Sequence, residues 1–171
     1  VEPGVVTGVA VSLALYLHRN ARPHMAVVGI VPGTEHFRNI NRHKVITGER
    51  VLSVRVDESL FFANSRYLED RLLELVAERP AIAHVVLQAT AVNEIDASAL
   101  ESLEEINRRL GDSGVAFHLS EIKGPVMDRL KKSDFFHHMT GKVFLTQYQA
   151  VRELGGRLQG PARAAPAPAP Q

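Results

Sequence analysis

From residue 51 onward, the apolar positions of the chain repeat first every second residue and then every third or fourth, and these two spacings alternate along the sequence. Val51, Leu52, Val54 and Val56 predict a strand. Leu60-Phe61-Phe62, after the Asp57-Glu58-Ser59 turn, predicts a second, short one. Leu68, Leu72, Leu75 and Val76 keep the i, i+4, i+7, i+8 spacing of one helical face. Asn64 or Ser65 is placed to cap that helix, which runs to about Glu78 before Pro80. The apolar run HVVL at 84–87 suits a buried central strand. Leu100, Leu103, Ile106 and Leu110 then mark a helix over about 98–110, with Glu104–Arg108 and Glu105–Arg109 spaced as i, i+4 pairs on its wet face. Val115 to Leu119 reads as the next strand. Pro125 fits the first turn of a third helix, with Val126 and Leu130 facing inward. A short strand near 143–145 and a helix near 147–154 close the pattern. Strands alternating with helices imply an α/β fold with a largely parallel sheet covered by helices.

The sequence before residue 47 is less regular. Val5 to Leu17 reads VVTGVAVSLALYL, without a charge. A bilayer crossing takes roughly 20 apolar residues. Glu2 precedes the run, and His18, Arg19, Arg22 and His24 follow it. A secretory signal has the opposite order, and basic residues just past an apolar helix mark a cytoplasmic side. The residues alone leave two readings open: the second half of a membrane helix that begins upstream, or a buried helix of a soluble domain. Pro23 stops the helix. Residues 26–46 read as a linker with one short strand, Ala26 to Val31, and a Pro32-Gly33 turn. The Gly-, Pro- and Ala-rich tail from Gly155 buries too little to order itself. The expected division is therefore residues 1–20, a linker at 21–46, a domain at 47–154 and a tail at 155–171.

Composition narrows the chemistry. A chain that is 45% hydrophobic and 23% charged is ordinary for a folded domain, and a net charge of +1 gives no general attraction to nucleic acid. Without cysteine, disulfides, thiolate zinc sites and cysteine nucleophiles are excluded. No phosphate-binding loop of the G-x-x-x-x-G-K type and no H-E-x-x-H helix occurs. His137 and His138 are adjacent, so their side chains point apart. No catalytic residue, metal or cofactor is expected.

The informative stretch runs from Val85 to Leu100, where a buried strand ends in a polar loop and a helix begins at small residues. Ligands of open α/β sheets gather at such places, and free helix amides there favour anions. Thr90, Asn93, Asp96 and Ser98 are the candidate ligand or partner residues. Two readings stand side by side. Ser98-Ala99-Leu100-Glu101 has the spacing of a capping box, with Asp96 as an alternative cap. A phosphate on Ser98 would instead meet the helix dipole and alter a docking surface.

This stretch resembles the STAS domain, which SulP-type sulfate permeases share with bacterial anti-sigma-factor antagonists. Pro32-Gly33-Thr34-Glu35-His36-Phe37-Arg38-Asn39 is similar to the permease junction between last membrane helix and STAS domain. Leu60-Phe61-Phe62-Ala63-Asn64 resembles the second strand and first helix cap, and the run from Lys123 to Leu130 resembles the third helix start. The likeness covers about residues 1–152. It implies a STAS-type sheet of about four to five strands flanked by helices, preceded by part of a transmembrane helix. It also implies a regulatory domain on the cytoplasmic side of an inner membrane, held there through residues 1–20. Its partners would be the transmembrane domain of the same sulfate or other anion transporter, further copies in a homo-oligomer, and a nucleotide or regulatory protein. In the antagonists a serine at the loop-to-helix junction is phosphorylated, and by motif Ser98 takes that position, with Asp96 as the nearby acid. Ala97, Ala99 and Gln88 depart from the pattern. The alternative is a free-standing antagonist switched at Ser98, although such a protein has no use for the apolar start.

Overall fold

A computed structural model describes residues 2–155. The expected disordered tail, beyond Gly155, lies outside the described residues. The elements run α1 (Glu2–Asn20), β1 (Met25–Ile30), β2 (Phe37–Asn39), β3 (Val51–Val56), α2 (Ser65–Ala77), β4 (His84–Gln88), α3 (Ala97–Asp112), β5 (Ala116–Ser120), α4 (Gly124–Lys131), α5 (Phe135–His138), β6 (Val143–Phe144) and α6 (Gln147–Leu154).

The strands form one sheet in the order β2-β1-β3-β4-β5-β6. β3, β4, β5 and β6 pair in parallel, while β1 is antiparallel to both β2 and β3. The parallel part follows from the helices inserted between successive strands, since a parallel connection needs a crossover. Side chains alternate between the faces. Val85 and Leu87 of β4 join a core with Leu68, Leu72, Leu103, Ile106 and Leu130 from α2, α3 and α4. Val86 points the other way, to a smaller cluster with Val51, Phe144 and Ala150 under α6.

α2 and α3 are also joined by charge. The carboxylate of Glu69 is buried and accepts from Arg109 at 3.0 Å, with Arg66 at 3.6 Å. This corrects the expected wet-face pairing. A buried carboxylate needs a cation, so Arg109 turns to Glu69, and Glu105 takes Arg108, three residues on.

The stretch expected as a linker belongs to the sheet: its one expected strand, Ala26 to Val31, is β1, and β2 lies beside it. β1 and β2 bring the strand count to six, above the four to five expected. After β2, Ile46 returns to β1 and exchanges hydrogen bonds with Ile30 at 2.8 and 2.9 Å. Gly29 permits that approach: a Cβ there would lie 2.6 Å from the Ile46 carbonyl oxygen. The pattern did not show this because β1, β2 and the return share no long alternating run.

Leu60-Phe61-Phe62 is not a strand. Leu60 makes a single parallel bridge to Ile95, and the next residues turn. Asn64 causes the turn: its Oδ1 accepts from the Phe61 amide at 2.9 Å and its Nδ2 donates to the Ser59 carbonyl at 2.9 Å. Its side chain is thereby used up and does not cap α2.

α1 is helical as expected, but its apolar side chains are not in the core. Val5, Val6, Val9, Val11, Leu13, Leu15 and Tyr16 are each between 52% and 68% exposed. The buried-helix reading is therefore corrected. No described helix is long and apolar enough to cross a membrane.

Leu103 is buried against both α2 and the sheet face. Leu103→Ala is expected to lower unfolding stability by about 2–5 kcal/mol, read as a shift of the urea midpoint with an unchanged slope.

Candidate functional site

The loop after β4 and the start of α3 meet the 57–62 turn at the C-terminal edge of the parallel strands. Asp96 is the joint. Its Oδ1 accepts from the Ala99 amide at 2.8 Å, which makes it the cap of α3. Its Oδ2 accepts from the Phe62 amide, also at 2.8 Å. One carboxylate thus fixes a helix start and a loop 34 residues away in sequence. The backbone repeats the tie: the Leu60 amide donates to the Glu94 carbonyl, and the Asp96 amide to that of Leu60. Ser59 completes it, its Oγ accepting from the amides of Asn93 and Glu94 at 3.2 and 3.3 Å.

Ser98 lies in the first turn of α3 and is exposed. The capping box read from Ser98 and Glu101 is not formed. Asp96 already occupies the Ala99 amide, two residues nearer the start, so the helix begins at Ala97. Among the described residues the Ser98 hydroxyl has no partner. It lies two residues beyond Asp96, whose carboxylate caps the helix. Asn93 is exposed close by, and its Oδ1 accepts from Lys123 Nζ at 2.6 Å.

Thr90 does not join this group. Its hydroxyl donates to Glu121 Oε2, which also accepts from Gln88 Nε2 at 2.9 Å, while Glu121 Oε1 accepts from the Gln147 amide at 3.1 Å. Glu121 adopts φ 56°, a left-handed conformation that costs a non-glycine residue about 1–2 kcal/mol. Burial raises its pKa, but the hydrogen bonds from Gln88, Thr90 and the Gln147 amide outweigh it and leave the carboxyl below its usual value. Gln88, Thr90 and Glu121 line a cleft of about 400 Å³ with Arg38 and Arg55. Arg55 is already held by Asp57 at 2.6 Å, and Asp57 also contacts His24 Nδ1 at 2.6 Å.

The four residues singled out in sequence therefore fall into two clusters. Asn93, Asp96 and Ser98 belong to the α3 start, and Thr90 to the Glu121 cleft. Glu121, Ser59 and Lys123 were missed. Nothing in their local sequence marks them, because each acts through a residue at least 30 positions away.

This arrangement can be set beside known proteins. Residues 43–150 match the STAS domain family. The chain belongs to that family. It is 32% identical to Sulfate transporter 1.3 of Arabidopsis thaliana over 92% of its own length and 26% of that protein's. It is also 32% identical to High affinity sulfate transporter 2 of Stylosanthes hamata, over 91% of this chain and 25% of that one. The STAS chain thus spans about a quarter of the length of these relatives. Its fold is that of the corresponding part of murine Solute Carrier 26 family member A9, an anion transporter seen in the inward-facing state. There the TM-score is 0.72 at 22% identity, over 88% of this chain and 25% of that one. The anti-sigma factor antagonist SpoIIAA, in its unphosphorylated form, matches with a TM-score of 0.50 at 13% identity, over 65% of this chain and 94% of that one.

The two serine and aspartate roles separate by mutation. Asp96→Ala removes the cap and the Phe62 tie together and is expected to destabilise the STAS domain by about 1–2 kcal/mol. Ser98→Ala is expected to shift the thermal midpoint negligibly. An equal loss in both would restore Ser98 as the cap.

Proposed function

We propose that this STAS domain is the cytoplasmic regulatory module of a SulP-type transporter of sulfate or another inorganic anion, and that it has no enzymatic activity of its own. The observation that carries this reading is α1. It presents exposed valines and leucines on a helix that ends in His18 and Arg19 and is followed by Arg22. A solvent-exposed apolar helix is a strong interaction signal. Basic residues past its end suit anionic headgroups on a cytoplasmic leaflet. The likeness to sulfate transporters covers 92% of the chain, whereas the likeness to SpoIIAA covers 65%.

In this reading α1 adjoins the transport domain of the same polypeptide, in the inner membrane, and the sheet-edge cluster points to partners. Those partners are the transport domain, a second copy in a homo-oligomer, or a regulatory protein. Phosphorylation of Ser98 would put about two negative charges beside Asp96. Repulsion would weaken the α3 cap and, through Asp96 Oδ2, the hold on exposed Phe62. The docking surface would change with no movement of the core. The same cluster serves the second reading, an antagonist switched at Ser98, which the exposed and unpartnered hydroxyl favours.

Vesicle partitioning separates the two readings. The full chain is expected to co-sediment with vesicles containing anionic lipid. The double variant Val9→Asp, Leu13→Asp should lose at least tenfold in partitioning while its thermal midpoint is unchanged. A full chain that stays in the supernatant would sink the membrane-side reading and leave the switched antagonist.

A further inference from the structure

A second polar cluster lies on the α6 face of the sheet, away from the α3 start. His118 of β5 is buried, with its ring 5.3 Å from that of His84 on β4 and 5.7 Å from that of Phe144 on β6. The backbone amide of Lys142 donates to His118 Nδ1 at 3.0 Å. That nitrogen therefore carries no proton. A neutral imidazole then has its proton on Nε2, and His118 Nε2 lies 3.2 Å from His84 Nδ1. His84 Nδ1 must be the acceptor, which leaves the His84 proton on Nε2. Donation runs one way only, from Lys142 to His118 to His84.

The chain is built tightly around this relay. Gly141 precedes the donating amide, and a Cβ there would sit 2.2 Å from the Phe117 carbonyl oxygen and 2.7 Å from His118 Nδ1. Only glycine lets the turn press onto β5. No slack remains for a second proton. On His118 it would enter at Nδ1 and face the Lys142 N–H. On His84 it would enter at Nδ1 and face the His118 N–H. Either event replaces a hydrogen bond by two opposed donors, at buried His118 or half-buried His84, a penalty of the unsatisfied-group kind.

What the relay holds is the weakest edge of the sheet. β6 pairs with β5 over two residues only. The eight-residue α6 follows it. It is held by Gln147, whose Nε2 donates to Ser53 Oγ at 2.8 Å and whose Oε1 accepts from Ser120 Oγ. Short peripheral units of this kind open at lower free energy than the core.

We propose that the Lys142–His118–His84 relay is a proton-sensitive latch: protonation of either ring releases residues 140–154 from the sheet and uncovers Val51, Val86 and the polar edge at Ser53 and Ser120, while the α2–α3 side stays folded. The charges around the pair act in the same sense. Burial pushes the His118 pKa down to about 4, with His84 and Lys142 adding to the effect and Glu153 opposing it. Glu153 is itself paired with Lys142 Nζ. Burial, then Arg50, also lowers the pKa of His84. The free side chains titrate near 6.5. A group depressed by folding stabilises the closed form fully above its free pKa. That stabilisation falls as pH drops from 6.5 toward 4, where the closed form also takes the proton. The latch thus responds to acid. His118 stays neutral in the closed form across that window and titrates in the open one, so it alone raises the opening constant about tenfold per pH unit.

Amide hydrogen exchange on the full chain at pH 7.5, 6.5, 5.5 and 4.5, corrected for intrinsic rates, tests this. Amides of 143–151 are expected to open at least tenfold more readily than those of Leu72 and Ile106. Their opening constant should climb about tenfold per unit below pH 6.5. The double variant His84→Gln, His118→Gln should lose that slope. A flat profile in the wild type, a slope retained in the variant, or one common opening constant for segment and core overturns the proposal. Should the variant not fold, ¹⁵N shifts of the wild-type histidines decide. His118 with an unprotonated Nδ1 down to pH 5 supports the latch, and titration near 6.5 overturns it.

Discussion

The parallel pairing of β3, β4 and β5 is the constraint on which the rest depends. Each strand is buried on both faces, with Val54, Val85, Val86 and Phe117 fully enclosed. In parallel strands every C-terminus lies at the same edge. That single fact brings the loops after Val56, Gln88 and Ser120 together. Asp96, Ser59 and Lys123 meet there only because three separate strands deliver them. The cluster at the α3 start is thus a product of sheet direction before it is a product of any one motif.

Within that edge, the division of labour between Asp96 and Ser98 follows from geometry. An N-cap acceptor is most effective three residues before the amide it takes, and Asp96 stands in that relation to Ala99. Its second carboxylate oxygen also accepts from the Phe62 amide. Ser98 is thereby relieved of structural duty.

Much of this was legible in the sequence, for reasons that differ from element to element. α2 and α3 announced themselves because an amphipathic helix writes its buried face into a four-residue period, and Leu68, Leu72, Leu103 and Ile106 do so. β4 was legible because Val85, Val86 and Leu87 form a short apolar run that suits a strand buried on both sides. The strand at Ala26 to Val31 was legible and is β1, but β2 and the joining of both to the sheet were not, since an edge closed by Gly29 and a returning Ile46 depends on backbone contact and leaves no side-chain period. Leu60-Phe61-Phe62 misled because apolar content was taken for a strand, whereas the Asn64 side chain imposes a turn. Asn93, Asp96 and Ser98 were found by the strand–loop–helix grammar. Glu121 was not, because its partners come from β4 and α6 and its left-handed backbone has no signature in residue type.

The two faces of the sheet suggest why one domain can be both anchored and adjustable. The α2–α3 face carries the large apolar core and the buried Glu69–Arg109 pair, and burial of that extent scales directly into stability. The α6 face holds a much smaller apolar cluster, and polar contacts from Ser53, Ser120, Gln147 and the histidine pair do the rest. Polar contacts contribute little net stability while they are satisfied and are costly once one partner is wrong. A face built this way is held conditionally, and the condition is set by protons and hydrogen bonds. The robust face can therefore carry the fold through changes that the α6 face registers.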